Sequence, residues 1–234
     1  MINAQEWLDK NYPKENRSKI TELDISNRDL EGTLKLERFT NVRKLNCSFN
    51  QLTSIEWDGS SLTNLEEFDY SHNQISGEDY IIENLTLKTL NSSFNKITNL
   101  TLNNNPNLVY LDASNNLLTW LDLRDSGSLI ELNCSNNPLT NLTLTHSPNL
   151  KSFDCLGAKF DKSNSLAPTT TITSTCPTSS TLLTQTIYLN NPALTMGLGI
   201  PLGISLLGWL TLGSLFFYKR WREWRPMGRI AGNQ

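Results

Sequence analysis

The chain has 234 residues, a formal net charge of −3 and 38% hydrophobic residues, a length that admits one or two domains. Its charge is partitioned: residues 1–162 hold 15 of the 20 Lys/Arg and 22 of the 23 Asp/Glu, residues 163–218 hold none, and the tail after them holds five basic residues against Glu223. An acidic domain repels phosphate and excludes nucleic acid as a partner, while four cysteines without a C-x-x-C or a nearby histidine pair exclude a zinc site.

Residues 1–19 read as an N-terminal cap. Asn3 followed by Glu6 fits a capping box, Pro13 marks the stop, and the spacing predicts a short helix over 3–12. Trp7, Leu8 and Tyr12 are placed to cover the open end of whatever follows.

Residues 20–162 repeat a pattern of L-x-x-L-x-L-x-x-N-x-L. Its first apolar site falls at Ile20, Val42, Leu65, Leu87, Leu108, Leu129 and Leu150, a period of 21 to 23 residues. A period of that size means a solenoid, in which each repeat buries its apolar side only against its neighbours. The central x-L-x alternation is that of a strand, and successive strands pair in parallel because every repeat runs the same way. Second halves such as Leu118-Thr-Trp-Leu121-Asp-Leu123 are too short for a helix and predict extended or tight-turn structure behind the sheet. Asn50, Asn73, Asn95, Asn116 and Asn137 fill one slot of the five middle repeats, replaced by Arg28 in the first and Ala158 in the last. Buried amides there can satisfy backbone groups left open by the turn, and their loss at both ends fits terminal repeats that lack a neighbour on one side. Cys47, Cys134 and Cys155 share an inward slot and read as stacked buried thiols, leaving Cys176 alone.

These repeats resemble leucine-rich repeats over residues 20–162. Cysteine in place of leucine and the L-T-x-L-x-L second half are similar to the short repeats of internalin-like bacterial proteins, and the entry segment resembles an expanded fungal group of the family. The resemblance implies a leucine-rich-repeat solenoid: a parallel β-sheet arc of about seven repeats, whose sheet face binds a protein, peptide or glycan. The cysteine-rich caps of many extracellular members are missing at both ends.

Residues 163–191 are rich in Ser and Thr, cannot build a core, and read as a stalk or linker. Residues 192–218 are uncharged, and the run from Ala193 exceeds the roughly 20 apolar residues that span a bilayer, predicting a C-terminal transmembrane helix in contact with lipid. Thr195, Gly199 and Gly203 stand four apart, a spacing that lets two such helices pack as a homodimer. Residues 219–234 form a basic juxtamembrane tail.

Candidate binding residues lie on the sheet face. Asp69, Asn91, Asp112 and Asn133 belong to a polar column along the repeats, beside Lys44, Glu67, Tyr110 and Glu131, with the aromatic neighbours Phe49, His72 and Phe94 as anchors. No paired carboxylates, phosphate loop or nucleophile beside a histidine stands out, so the expectation is a binding protein rather than an enzyme, with no metal and no cofactor. The tail is too short for a signalling domain, so any signal passes through a partner. Topology is pulled two ways. The basic tail places the repeats outside by the positive-inside rule, whereas Met1-Ile-Asn-Ala-Gln-Glu-Trp is no cleavable signal and fits a tail-anchored protein with the repeats in the cytosol. The balance favours a single-pass plasma-membrane protein with its repeats outside over a tail-anchored scaffold recruiting a partner to an organelle.

Overall fold

The computed structural model describes residues 1–159 except 78, 79, 82, 83, 85, 103, 145 and 146, together with two short strands, Ile172–Thr173 and Thr186–Ile187, which pair antiparallel. Met1–Leu194 forms one compact unit. The stalk expected at 163–191 lies outside the described residues apart from those two strands, and so do the predicted transmembrane helix, its Thr195, Gly199 and Gly203, and the tail. Among the described residues no helix is long and apolar enough to cross a membrane.

The repeats form a parallel β-solenoid with a seven-stranded front sheet. Its strands are Glu22–Asp24, Lys44–Asn46, Glu67–Asp69, Thr89–Asn91, Tyr110–Asp112, Glu131–Asn133 and Ser152–Asp154. All pair in register, so the central residues stack as Leu23, Leu45, Phe68, Leu90, Leu111, Leu132 and Phe153, one above another. Every one of these is buried, while their flanking neighbours point forward. The expected seven-repeat count is the number of these strands.

Behind the sheet the second halves are extended, as their length requires. Leu30–Lys35 pairs with Gln51–Glu56, and Asn99–Thr101, Trp120–Asp122 and Asn141–Thr143 form parallel ladders. Leu34, Ile55, Leu100, Leu121 and Leu142 close the core from this side.

The cap forms as its sequence signals indicate. Asn3 accepts the Glu6 amide at 3.0 Å and starts a helix, Ala4–Asn11. Leu8 is fully buried, with Trp7 and Tyr12 packed on the core. Two features are additional. Ile2–Asn3 adds a strand to Leu30–Lys35. A 3-10 helix, Lys14–Lys19, buries Arg17 completely; its guanidinium pairs with Asp9, donates to the Tyr12 carbonyl at 2.9 Å and stands 5.3 Å over the Phe39 ring.

The asparagine ladder is present, but it is directional. Asn50 Nδ2 donates to the carbonyl of Cys47 in its own rung at 3.0 Å and of Ile25 in the preceding rung at 2.9 Å; its Oδ1 accepts the amides of Arg28 and Leu30, both at 3.1 Å. Asn73, Asn95, Asn116 and Asn137 reach back the same way, to Cys47, Tyr70, Ser92 and Ala113. A missing neighbour therefore explains Arg28, whose rung has none before it, and does not explain Ala158. In the last rung the Lys159 amide donates to the Leu139 carbonyl at 2.6 Å, the same backbone bond that Gln74, Lys96 and Leu117 make beside an asparagine, so it does not stand in for the missing side chain. The cysteine stack also needs correction. Cys47 and Cys134 are free and buried, but Cys155 is disulfide-bonded. Cys176, the remaining cysteine of the chain, lies outside the described residues.

Candidate functional site

Each front strand ends in an Asp or Asn, then turns inward. In chain order the column is Asp24, Asn46, Asp69, Asn91, Asp112, Asn133 and Asp154, a strict alternation of carboxylate and amide. Every member uses Oδ1 to accept the backbone amide two residues on, at 2.9–3.1 Å. This local bond is what short polar side chains do at turns. Half of each side chain is thus structural, and only the second oxygen or the amide nitrogen is left for other partners. Neighbouring strands are about 4.8 Å apart, so alternation keeps carboxylates about 9.6 Å from one another with an amide between. Asn133 Nδ2 donates to Asp112 Oδ2 at 3.3 Å in this manner.

Asp69 is the outlier of the column. It is only 9% exposed, and its Oδ2 has no hydrogen-bond partner. Burial pushes its carboxyl up to about 6, against the Ser71 amide, which favours the charged form. Burial likewise raises Asp112 and Glu67, the latter opposed by Lys44, whose ammonium lies 3.4 Å from Glu67 Oε1. Tyr110 and Glu131 are half-buried on the same face, so the forward positions singled out from the sequence do gather on one surface.

The aromatic residues do not stand on the strands, as the sequence suggested. They occupy the turn just beyond them, in a column where the backbone is left-handed in every rung: φ is 53° at Asn27, 55° at Phe49, 53° at His72, 55° at Phe94, 55° at Asn115, 56° at Asn136 and 90° at Gly157. Asparagine and glycine are the ordinary residues for this conformation, and bulky side chains there are rare. Phe49, His72 and Phe94 adopt it in three consecutive rungs and stack: ring centroids are 4.1 Å apart for Phe49 and His72 and 4.2 Å for His72 and Phe94, nearly parallel at 12° and 11°. Partial burial lowers the His72 pKa, favouring the neutral ring. The outer phenyls remain open, Phe49 at 43% and Phe94 at 47% exposure. A shallow hollow of about 390 Å³ beside them is lined by His72, Asn73, Gln74, Phe94, Asn95, Lys96 and Asn115.

Gln74 and Lys96 were not among the residues picked from the sequence, because they follow the asparagine slot and read as repeat filler. The aromatic column did carry a signal. Asn27, Asn115 and Asn136 hold the same phase, so aromatics between them occupy a place where asparagine serves the backbone better.

No family model matches the chain, and no curated protein does either. Among solved structures, YopM from Yersinia enterocolitica WA-314 aligns at 21% identity with a TM-score of 0.46, over 60% of this chain and 34% of that one. A functional domain of InlJ from Listeria monocytogenes, described as including a cysteine ladder, aligns at 26% identity with a TM-score of 0.39, over 63% of this chain and 41% of that one. The chain thus spans well under half the length of either.

Proposed function

We propose that the front face of this leucine-rich-repeat solenoid is a protein-recognition surface, with the stacked Phe49, His72 and Phe94 as its anchor, and that residues 192–218 hold it at a membrane. The observation that carries the reading is the backbone position of the rings. A left-handed conformation costs a non-glycine residue about 1–2 kcal/mol, and three such residues in a row gain only stacking among themselves while two of them stay open to solvent. Strain kept at an exposed surface is characteristic of sites that act on something else, and aromatic residues are enriched among the anchors of protein interfaces. The reading is of binding without catalysis.

The disulfide at Cys155 favours repeats facing outward, since disulfides persist in oxidising compartments. Cys47 and Cys134 do not argue for a reducing compartment: burial raises both thiols and keeps them inert wherever the protein resides. Protection of the repeats from protease in sealed microsomes is the expected result, and digestion of the repeats gives the tail-anchored arrangement instead. The recognition surface is tested by proximity labelling in cells with the full chain and with Phe49→Asn/Phe94→Asn, a pair that keeps the residue type the column uses elsewhere. Loss of the labelled partner with an unchanged melting transition supports the reading; an unchanged partner set sinks it.

A further inference from the structure

The front face is far more acidic than the protein's overall charge suggests. Fourteen forward-pointing positions on the seven strands include the four aspartates of the column and Glu22, Glu67 and Glu131, against the single base Lys44. On the back strands Leu30–Lys35, Gln51–Glu56, Asn99–Thr101, Trp120–Asp122 and Asn141–Thr143 the acids are Glu31, Glu56 and Asp122, of which Glu56 pairs with Lys35 and Asp122 with Arg124. The acidity belongs to the front.

Two carboxylate oxygens on this face, Asp69 Oδ2 and Glu67 Oε2, are buried without a hydrogen-bond partner, and they lie on one strand three and five residues before His72 of the aromatic stack. A buried carboxylate oxygen left without a donor is unfavourable, and a cation held against the face above it offsets its charge. A metal ion does not suit the arrangement. Aspartates of the column stand about 9.6 Å apart, whereas an oxygen-bound cation needs ligands at about 2.3–2.6 Å, and among the described residues no group of three acids, histidines or cysteines could hold one. Long, separately mobile cationic side chains do suit it.

We propose that the face takes a lysine- and arginine-rich polypeptide segment carrying an apolar residue: cations meet Asp69, Asp112 and Glu131, and the apolar side chain settles in the hollow beside Phe94. This rests on the protein-recognition reading and adds the chemistry of the partner. The column's own Asn46, Asn91 and Asn133 show that an amide supports the same turn, because Oδ1 still accepts the amide two residues on. Charge can therefore be removed without removing structure.

The test uses the full chain in nanodiscs of zwitterionic lipid and a fluorescein-labelled decapeptide of alternating arginine and serine with one central phenylalanine. Fluorescence anisotropy is followed for the parent, for Asp112→Asn/Glu131→Gln, and for Glu15→Gln/Asp125→Asn, which removes the same charge from exposed sites off the face. Saturable binding that falls about tenfold or more in the first variant, less than twofold in the second, and is absent for the glutamate counterpart of the peptide is the expected result. Equal weakening in both variants means a diffuse field and overturns the proposal, as does a parent that shows no saturable binding. The cellular partner separates the two levels of the argument. A partner lost with Phe49→Asn/Phe94→Asn but kept with Asp112→Asn/Glu131→Gln leaves the recognition surface standing and removes its basic ligand; a partner kept with both removes the surface.

Discussion

Two polar columns run the length of this solenoid, one rung after another, and they obey different rules. The inner one, Asn50 to Asn137, is uniform: each amide donates to carbonyls in two rungs and accepts amides behind it, with nothing left over. The front one alternates Asp with Asn, spends one oxygen on the turn and leaves the other group to its surroundings. Uniformity is what a structural role demands, since any change orphans several backbone groups. Alternation shows a position where the fold requires only half of the side chain, so that charge became a free variable.

The largest expected effect breaks the inner column. Asn95→Ala removes the acceptor of the Ile75 amide and the donor to the Tyr70 and Ser92 carbonyls in a buried place, and should cost about 3 kcal/mol or more. Thermal or urea unfolding checks it; a loss below about 1 kcal/mol means that water replaces the amide and the column is not obligatory.

Next in size is a gain in the front column. The carboxyl of Asp69 is raised from 3.8 to about 6 in the folded chain, so between those values the folded state binds more protons than the unfolded state. Stability from this group is present below about pH 4 and declines as pH rises through about 6. Asp69→Asn should therefore raise stability at pH 7.5 by roughly 2 kcal/mol, with the gain vanishing near pH 4. Melting curves of parent and variant at the two pH values decide it, and a gain independent of pH assigns the effect to something other than the buried charge.

A smaller effect follows from spoiling the alternation. Asn133→Asp keeps the turn bond and sets three carboxylates in adjacent register, from Asp112 to Asp154, for a loss of about 1 kcal/mol that shrinks in high salt. The smallest is Phe94→Asn, in which relief of the left-handed backbone and loss of stacking on His72 oppose each other. Stability should move by less than about 1 kcal/mol, although the exposed ring is lost.

The legible part of the molecule was its periodic part. Seven rungs, the inner asparagines, the inward cysteines and the Asn3–Glu6 cap each depend on spacing along the chain, and spacing is what a sequence displays. The direction of the ladder was not legible, because a missing asparagine looks the same at either end; only the hydrogen bonds show that each amide reaches backward. Arg17 was missed because nothing local marks a buried arginine: its partners Asp9 and Phe39 lie on opposite sides of it in sequence. The bonded state of Cys155 was missed because its slot is shared with two cysteines that stay free. The aromatic column was read as belonging to the sheet, whereas the strands end at Asn46, Asp69 and Asn91, three residues before Phe49, His72 and Phe94, where φ is positive.

Alternation along the front column also sets a parity on how the protein can change length. The inner asparagine is the same in each of the five middle rungs, so for that ladder one of these repeats is interchangeable with the next. Front positions are not. Excising the repeat that bears Asn91 brings Asp69 and Asp112 to adjacent strands, whereas excising it together with its neighbour leaves the series undisturbed. Gain or loss of two repeats together therefore preserves the alternation, and gain or loss of one breaks it.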